Sequence, residues 1–404
     1  MAISTGINKR VTYKAETTFG TAAGSSGGQV LRRVTSAFNL EKETYQSGEI
    51  RTDYQVQDMR HGVRTATGSV SGELSPGSYA DFLAAAVARD FVAGVSAASV
   101  SYTVAASGNY WTVTRAAGSY LTDGFKIGDV IRITAAGGNA ANTGKNLLIL
   151  TLTATVATVA PLNDAALVAE GPIASATIAV QGKKTFAPIT GHTDKSFTVE
   201  EWYSDISQSE VFTGLKVNTA SLSIPATGLV TCDFGFMGKD LAQTGSSAYF
   251  SAPTAQTSTG IFAAVNGALV VNGTPVALVT DASINLNRNL QNATVVGSNS
   301  IADIFEGRIT VDGSFSAYFQ DATFRDLFNN ETEVSLVIAI TTSNDKGADF
   351  MSIVLPRIKV NSNTKADGES GIVASHNFVA LLNSTGGTGA ATEKTTISFQ
   401  DSAA

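Results

Sequence analysis

The chain repeats itself, and that limits what it can fold into more than any motif it carries. Thr-Ser-Ala-Phe-Asn-Leu at 35–40 matches Asp-Ala-Ser-Ile-Asn-Leu at 281–286 at an offset of 246 residues, and Gly68-Ser-Val-Ser71 matches Gly313-Ser-Phe-Ser316 at 245. The same 245 carries Tyr79 to Phe324, Asp81 to Asp326 and Phe82-Leu83 to Leu327-Phe328. Leu215-Lys-Val-Asn218 matches Ile358-Lys-Val-Asn361, and Gly228-Leu-Val230 matches Gly371-Ile-Val373, both at 143. The offsets differ by 102, so the first copy holds about a hundred extra residues between a helix near 85 and a strand near 215. One structural module used twice is the reading.

Each copy runs strand, long loop, strand, helix, then further strands. In the first copy Val34, Phe38 and Leu40 alternate with Thr35, Ala37, Asn39 and Glu41, which is the period of a half-buried strand. Ala66, Gly68, Val70, Gly72 and Leu74 then alternate with Thr65, Thr67, Ser69, Ser71 and Glu73. In the second copy Ile309, Val311, Phe315, Ala317 and Phe319 alternate with Arg308, Thr310, Asp312, Ser314, Ser316 and Tyr318. Ser75 as N-cap with Pro76 in the first turn predicts a helix whose stripe is Tyr79, Phe82, Leu83 and Ala86. Asp321 and the stripe Phe324, Leu327 and Phe328 predict its counterpart. The fold class is mainly β, built of α+β modules in which a sheet has one face covered and the other polar.

The extra segment, 92–190, has short strands at Trp111–Arg115, Phe125–Ile133, Leu147–Val159 and Ala176–Val180, separated by Gly- and Asn-containing turns. It predicts a small β-barrel or sandwich on the surface of the first module. The organisation expected is an N-terminal arm (1–30), the first module in two parts (31–91 and 191–245) around the insert, a second module (246–382) and a tail (383–404). The Gly/Ser/Thr-rich arm and tail are expected to order only on assembly.

Composition closes off other classes. Charged residues are 15% of the 404, against roughly 25% in an average soluble protein, with 38 Gly and 8 Pro, a turn-rich β composition. A net charge of −7 disfavours tight binding through nucleic-acid phosphates. The single cysteine, Cys232, permits no intramolecular disulfide and lies in an apolar segment as a buried small residue. Residues 1–9 carry no apolar run of the signal-peptide kind, and 146–162 alternates and holds Pro161, so it reads as strands, not a membrane span. The chain is expected to stay inside a cell until it assembles.

No catalytic constellation stands out. His61, His192 and His376 have no partner at metal-ligand spacing. The glycine-rich run 137–145 has Asn139 and Asn146 where a phosphate loop needs Gly and Ser or Thr, and it precedes a strand. Glu200 and Glu201 beside Trp202 and Tyr203 suggest a carboxylate pair. Neighbours on a strand face opposite ways, so rim charges and core aromatics are the preferred reading. The sequence points to no enzyme, no cofactor and no metal, but to a subunit built to contact copies of itself.

At this point the residues match a family. Val11-Thr-Tyr-Lys-Ala-Glu-Thr-Thr-Phe-Gly-Thr21, Ala66 to Leu83, Gly118 to Ile131 and the closing Ser398-Phe-Gln-Asp401 resemble segments of tail tube (major tail) proteins of long, non-contractile-tailed, siphovirus-like bacteriophages. The resemblance implies tandem β-sandwich or barrel modules, each flanked by one helix, whose rings stack into a tube that carries DNA into the host. Six modules per ring imply a trimer with pseudo-sixfold symmetry. It implies as partners the chain itself, a tape-measure protein and tail-end proteins, with DNA only in transit and no membrane span. The location implied is the virion tail, after synthesis in the host cytoplasm.

It also implies that the polar strand faces line the lumen: Ala37, Asn39, Glu41, Thr65, Thr67, Ser69, Ser71 and Glu73 in the first copy. In the second they are Ser283, Asn285, Asn287, Arg308, Thr310, Asp312, Ser314, Ser316 and Tyr318. The charged segment 42–62, with Glu43, Glu49, Arg51, Asp53, Asp58 and Arg60, becomes a hairpin loop reaching the neighbouring ring, and 288–307 is its less charged counterpart. Two alternatives stay open. One is a fibre or adhesin whose insert reads sugars with Tyr110, Trp111 and Tyr120. The other is a cell-wall enzyme resting on Glu200, Glu201 and Trp202.

Overall fold

Alternating apolar and polar residues over most of the chain make strands. The computed structural model, which describes residues 3–162, 166–276, 278–366, 369 and 371–404, is mainly β. Its first half supplies β1 (Lys9–Ala15), β2 (Thr35–Gln46), β3 (Met59–Glu73), β4 (Phe197–Tyr203), β5 (Gln208–Ile224) and β6 (Thr231–Gly238), with helix α1 (Ala80–Ala86). The second half supplies β7 (Gly267–Val271), β8 (Val279–Asn287), β9 (Thr310–Tyr318), β10 (Glu333–Thr341), β11 (Phe350–Lys365) and β12 (Val373–Ala380), with α2 (Thr323–Asn329). A short strand, β13 (Ser398–Asp401), follows.

Eight of these strands run side by side, each antiparallel to the next, in the order β2–β3–β6–β5–β8–β9–β12–β11. A second layer pairs β1 with β4 and β4 with the start of β5, and pairs β7 with β10 and β10 with the start of β11. The long strands β5 and β11 therefore serve both layers. In β5 the change of layer coincides with Gly214, whose φ of +68° is open to glycine and whose added Cβ would lie 2.7 Å from Lys239 Cβ. Register breaks fall between Val217 and Thr219 in β5 and between Val360 and Ser362 in β11.

Apolar side chains between the layers form one core from both halves. Phe82 of α1 sits at its centre, its ring 4.7 Å from Tyr13, 5.4 Å from Phe197, 5.5 Å from Phe234 and 5.2 Å from Phe236. The helix begins later than the sequence predicts. Gly77 at φ +72° cannot be helical, Ser75 Oγ lies 2.6 Å from Ser78 Oγ in a turn, and the helix opens at Ala80. In α2, Asp321 Oδ1 accepts from the Thr323 N–H (2.8 Å) ahead of the helix. There Phe324 and Leu327 are half-buried and Phe328 is exposed. Phe319, expected on the core face, is exposed too, with Lys365 Nζ 3.5 Å from its ring centre.

The insert folds as a closed six-stranded barrel from Ser96 to Val180 with a core of its own. Lys183–Phe186, counted in the insert, instead pairs with β13. Its seat is also not the one expected. Val130, Leu148 and Leu150 of the barrel pack on Val270, Val337, Ala339, Phe350 and Val354 of the second half. β10 alternates accordingly: Leu336, Ile338 and Ile340 enter the central core while Val337 and Ala339 meet the barrel. Polar contacts hold the seat, among them Ser352 Oγ to the Gly128 carbonyl (2.7 Å) and Gln400 Nε2 to those of Val130 (2.9 Å) and Gln181 (2.7 Å). The layers are thus polar face, core, second sheet, barrel.

The two ends are not loose arms. β1 is laddered to β4 along its whole length, and β13 is laddered to both β11 and Lys183–Phe186, with Phe399 and Asp401 buried. Polar composition at 1–30 and 383–404 conceals these short buried strands.

Candidate assembly and lumen surfaces

Opposite residues in an antiparallel ladder share a face. Asn39, Thr67, Ser69, Ser71, Ser283, Asn285, Thr310, Asp312 and Ser314 therefore lie on one surface of the eight-stranded sheet, away from the core. Glu41, Thr65, Glu73 and Asn287 stand at its margins, and Ser316 is on the same face but only 7% exposed. Arg308 precedes β9 and is not strand-borne.

The face is knitted by its own side chains. Thr67 Oγ1 donates to Glu41 (2.9 Å), Ser283 and Ser314 hydroxyls lie 2.9 Å apart, and Asn285 Nδ2 donates to Asp312 (3.1 Å). Ser71 bonds Asp233, which, with Ser221, Ser223, Ser362, Thr364, Ser375 and Asn377, belongs to the same surface. Sequence reading did not assign these last residues, although Ser221-Leu-Ser223 alternates as clearly as the strands it did assign. Glu41, Glu73, Asp233, Asp281 and Asp312 give the face an acidic balance. Lys359, a base at one margin, is engaged by Glu331 (2.6 Å).

Both edges of this sheet are open among the described residues: the outer side of β2 and that of Ser362–Lys365 in β11. A lysine guards the β2 edge, Lys9 Nζ donating to the Ser36 carbonyl (2.8 Å). Inside the chain, the two halves join through β5 and β8, with Thr219 opposite Asn287, Ser221 opposite Asn285 and Ser223 opposite Ser283.

β2 and β3 extend as a hairpin beyond the sheet, pairing out to Gln46 and Met59, so only 47–58 forms its tip. Much of the expected 42–62 loop is thus ladder. Arg51 binds Asp53 (2.8 Å) and Gln57 (2.7 Å), and Arg60 binds Asp58 (2.9 Å). The Arg51 hydrogen bond holds the Asp53 carboxyl below its usual range. Glu43 accepts from the Tyr45 hydroxyl, while Glu49 is exposed. These charges largely satisfy one another, and among the exposed side chains of the tip are the large hydrophobics Ile50, Tyr54 and Val56. The counterpart at 288–307 folds back instead. Its Leu290, Ile301 and Ile304 pack with Phe19, Val63 and Met237, and the buried Arg288 pairs with Glu306.

The carboxylate pair is corrected. Glu200 and Glu201 are both buried, not at a rim. Glu200 accepts from Ser209 Oγ (2.8 Å) and the backbone N–H groups of Tyr249 and Phe250, while Glu201 takes Lys9 Nζ (2.6 Å) and the Tyr203 hydroxyl (2.8 Å). Each carboxylate is engaged in tying β4 to its neighbours. Cys232 is buried with Sγ against the Gly72 carbonyl (3.6 Å), and burial pushes its thiol far above the usual range, which removes a nucleophile. No helix among the described residues is long and apolar enough to cross a membrane.

A family model described as phage tail tube protein matches residues 6–399. No curated protein matches the chain.

Proposed function

The chain belongs to the phage tail tube protein family, and is a structural component of a virion tail; from that premise we propose that three copies close into a ring whose two halves per chain occupy six equivalent positions. The rings stack into the siphovirus-like tail tube through which DNA is ejected. The role is structural and not catalytic. Tape-measure and tail-end proteins are its remaining partners.

The observation that carries this reading is the equivalence of the halves within the eight-stranded sheet. Strand order β2–β3–β6–β5 is followed by β8–β9–β12–β11, and moving 143 residues along takes the register break at 217/219 onto that at 360/362. The join of β5 to β8 is then the template for joining β11 to the β2 of the next chain, which uses both open edges. Shifted by the same offsets, the template sets Ser362 opposite Glu41 and Thr364 opposite Asn39 of the neighbour. In this reading the acidic, hydroxyl-rich face is the lumen wall, and the barrel, seated beyond the second sheet, faces the tube exterior.

A Thr364→Cys, Asn39→Cys double variant tests ring closure. Oxidation is expected to give covalent dimers and trimers and no larger species, with end-on electron micrographs showing threefold rings. A Thr364→Cys, Phe38→Cys pair, one residue out of register, is expected to link poorly. A ladder reaching six chains would overturn the trimer while keeping the tube.

A further inference from the structure

At the end of the sheet opposite the hairpin tip lies an open cavity of about 320 Å³, with Leu278, Phe319, Phe324, Asn363, Ala374 and His376 in its wall. The alternating strand directions fix this geometry. β2 ends at the hairpin, whereas β9 and β11 end, and β12 begins, at the cavity.

The wall contains two unsatisfied polar groups. His376 is 2% exposed, and neither ring nitrogen has a hydrogen-bond partner among the described residues; nor does Asn363 Oδ1. They stand directly opposite each other across β11 and β12, close enough for one hydroxyl to bridge them. Burial lowers the His376 pKa, which keeps the ring neutral with one N–H donor and one acceptor nitrogen. Buried polar groups are normally paired, so two orphans on one wall mark a place where a partner is missing. The equivalent pair in the first half is Ala220 opposite Phe234, whose ring stacks 5.6 Å from Tyr79 as His376 packs 5.2 Å from Phe324; being apolar, that pair leaves no polar group to satisfy.

We infer that this cavity receives the hairpin tip of a chain in the adjacent ring, with the Tyr54 phenol entering between His376 and Asn363. The inference rests on the tube reading above and names the receptor for its stacking hairpin. Tyr54 is 99% exposed and held at φ +57°, a conformation a bulky residue adopts only under constraint. Ile50 and Val56 beside it are exposed and apolar, matching the Leu278 and Phe319 rim. A phenol both donates and accepts, so one hydroxyl serves Asn363 Oδ1 and the imidazole together. Each chain offers one tip and one cavity, at opposite rims, so consecutive rings present one to the other.

The test uses the full chain, read by sedimentation and electron microscopy for rings against tubes. His376→Phe with Asn363→Ala, which installs the pair found in the first half, is expected to leave rings intact and reduce the tube fraction at least tenfold. Tyr54→Phe is expected to fall between it and the parent. A Val56→Cys, Thr323→Cys variant is expected to cross-link between copies in tubes and not in dispersed rings. If removing 47–58 leaves normal tubes, the stacking role of the hairpin is wrong, and this inference with it. If that deletion abolishes stacking while the cavity variant stacks normally, the hairpin stacks but the cavity is not its receptor. Cross-links in dispersed rings place the tip on a neighbour within the ring and overturn the inference as well.

Discussion

Asp401 shows how one buried group makes the fold sensitive to pH. Burial pushes its carboxyl up to about 6, although the N–H groups of Gly77 (2.9 Å) and Ala403 (2.8 Å) bond its oxygens. A pKa raised above the unfolded value of 3.8 means the folded chain holds its proton more tightly. The stability this contributes is fully present below about pH 4 and is lost as pH rises through about 6, a difference of roughly 3 kcal/mol at most. Asp401→Asn is expected to flatten that part of the stability–pH profile in urea unfolding at pH 4.5 to 7.5; parallel profiles for variant and parent would refute it. Phe82→Ala, at the crossing of four rings, is expected to cost about 3–5 kcal/mol by the same measurement. The core position of Phe82 was legible from helical spacing. The burial of Glu200 was not, because the groups that satisfy it, the Tyr249 and Phe250 amides, lie far away in sequence.

The strands β2, β3, β8 and β9 were legible because their period of two coincides with an internal repeat, and both signals have the same physical cause: one face packed, one wet. The barrel was legible as a separate unit, but its seat was not. The clue was present in Val334-Ser-Leu-Val-Ile-Ala-Ile340, nearly continuous apolar sequence, which marks a strand covered on both faces. Gly94 N–H donates to the Gly182 carbonyl (3.1 Å) at the root of the barrel, so a short link can replace 95–181. That deletion is expected to aggregate, because it uncovers Val270, Val337 and Val354. Adding Val337→Ser and Val354→Thr is expected to restore a soluble chain in size-exclusion chromatography. Solubility of the plain deletion would show that this apolar seat needs no cover.

At the scale of the whole molecule, what matters is the sign of the polar face. Carboxylates and hydroxyls there offer no grip to a passing polyanion, so cations added to it should act as a brake. Ser69→Lys with Ser314→Lys is expected to preserve tube assembly and slow DNA release, most at low salt, where phosphate–lysine attraction is least screened. Unchanged ejection kinetics would remove this face from the DNA path. The halves match in strand order and differ at their rims: one sends out a hairpin while the other folds its loop back and carries the cavity walled by Asn363 and His376. Six identical units would let one ring sit on the next in six rotational settings. In the trimeric ring proposed above, halves that differ leave three, all equivalent, so each ring would dictate the azimuth of its successor. A tube built this way would acquire a single screw phase, and barrels carried on its exterior would trace three regular threads along its length.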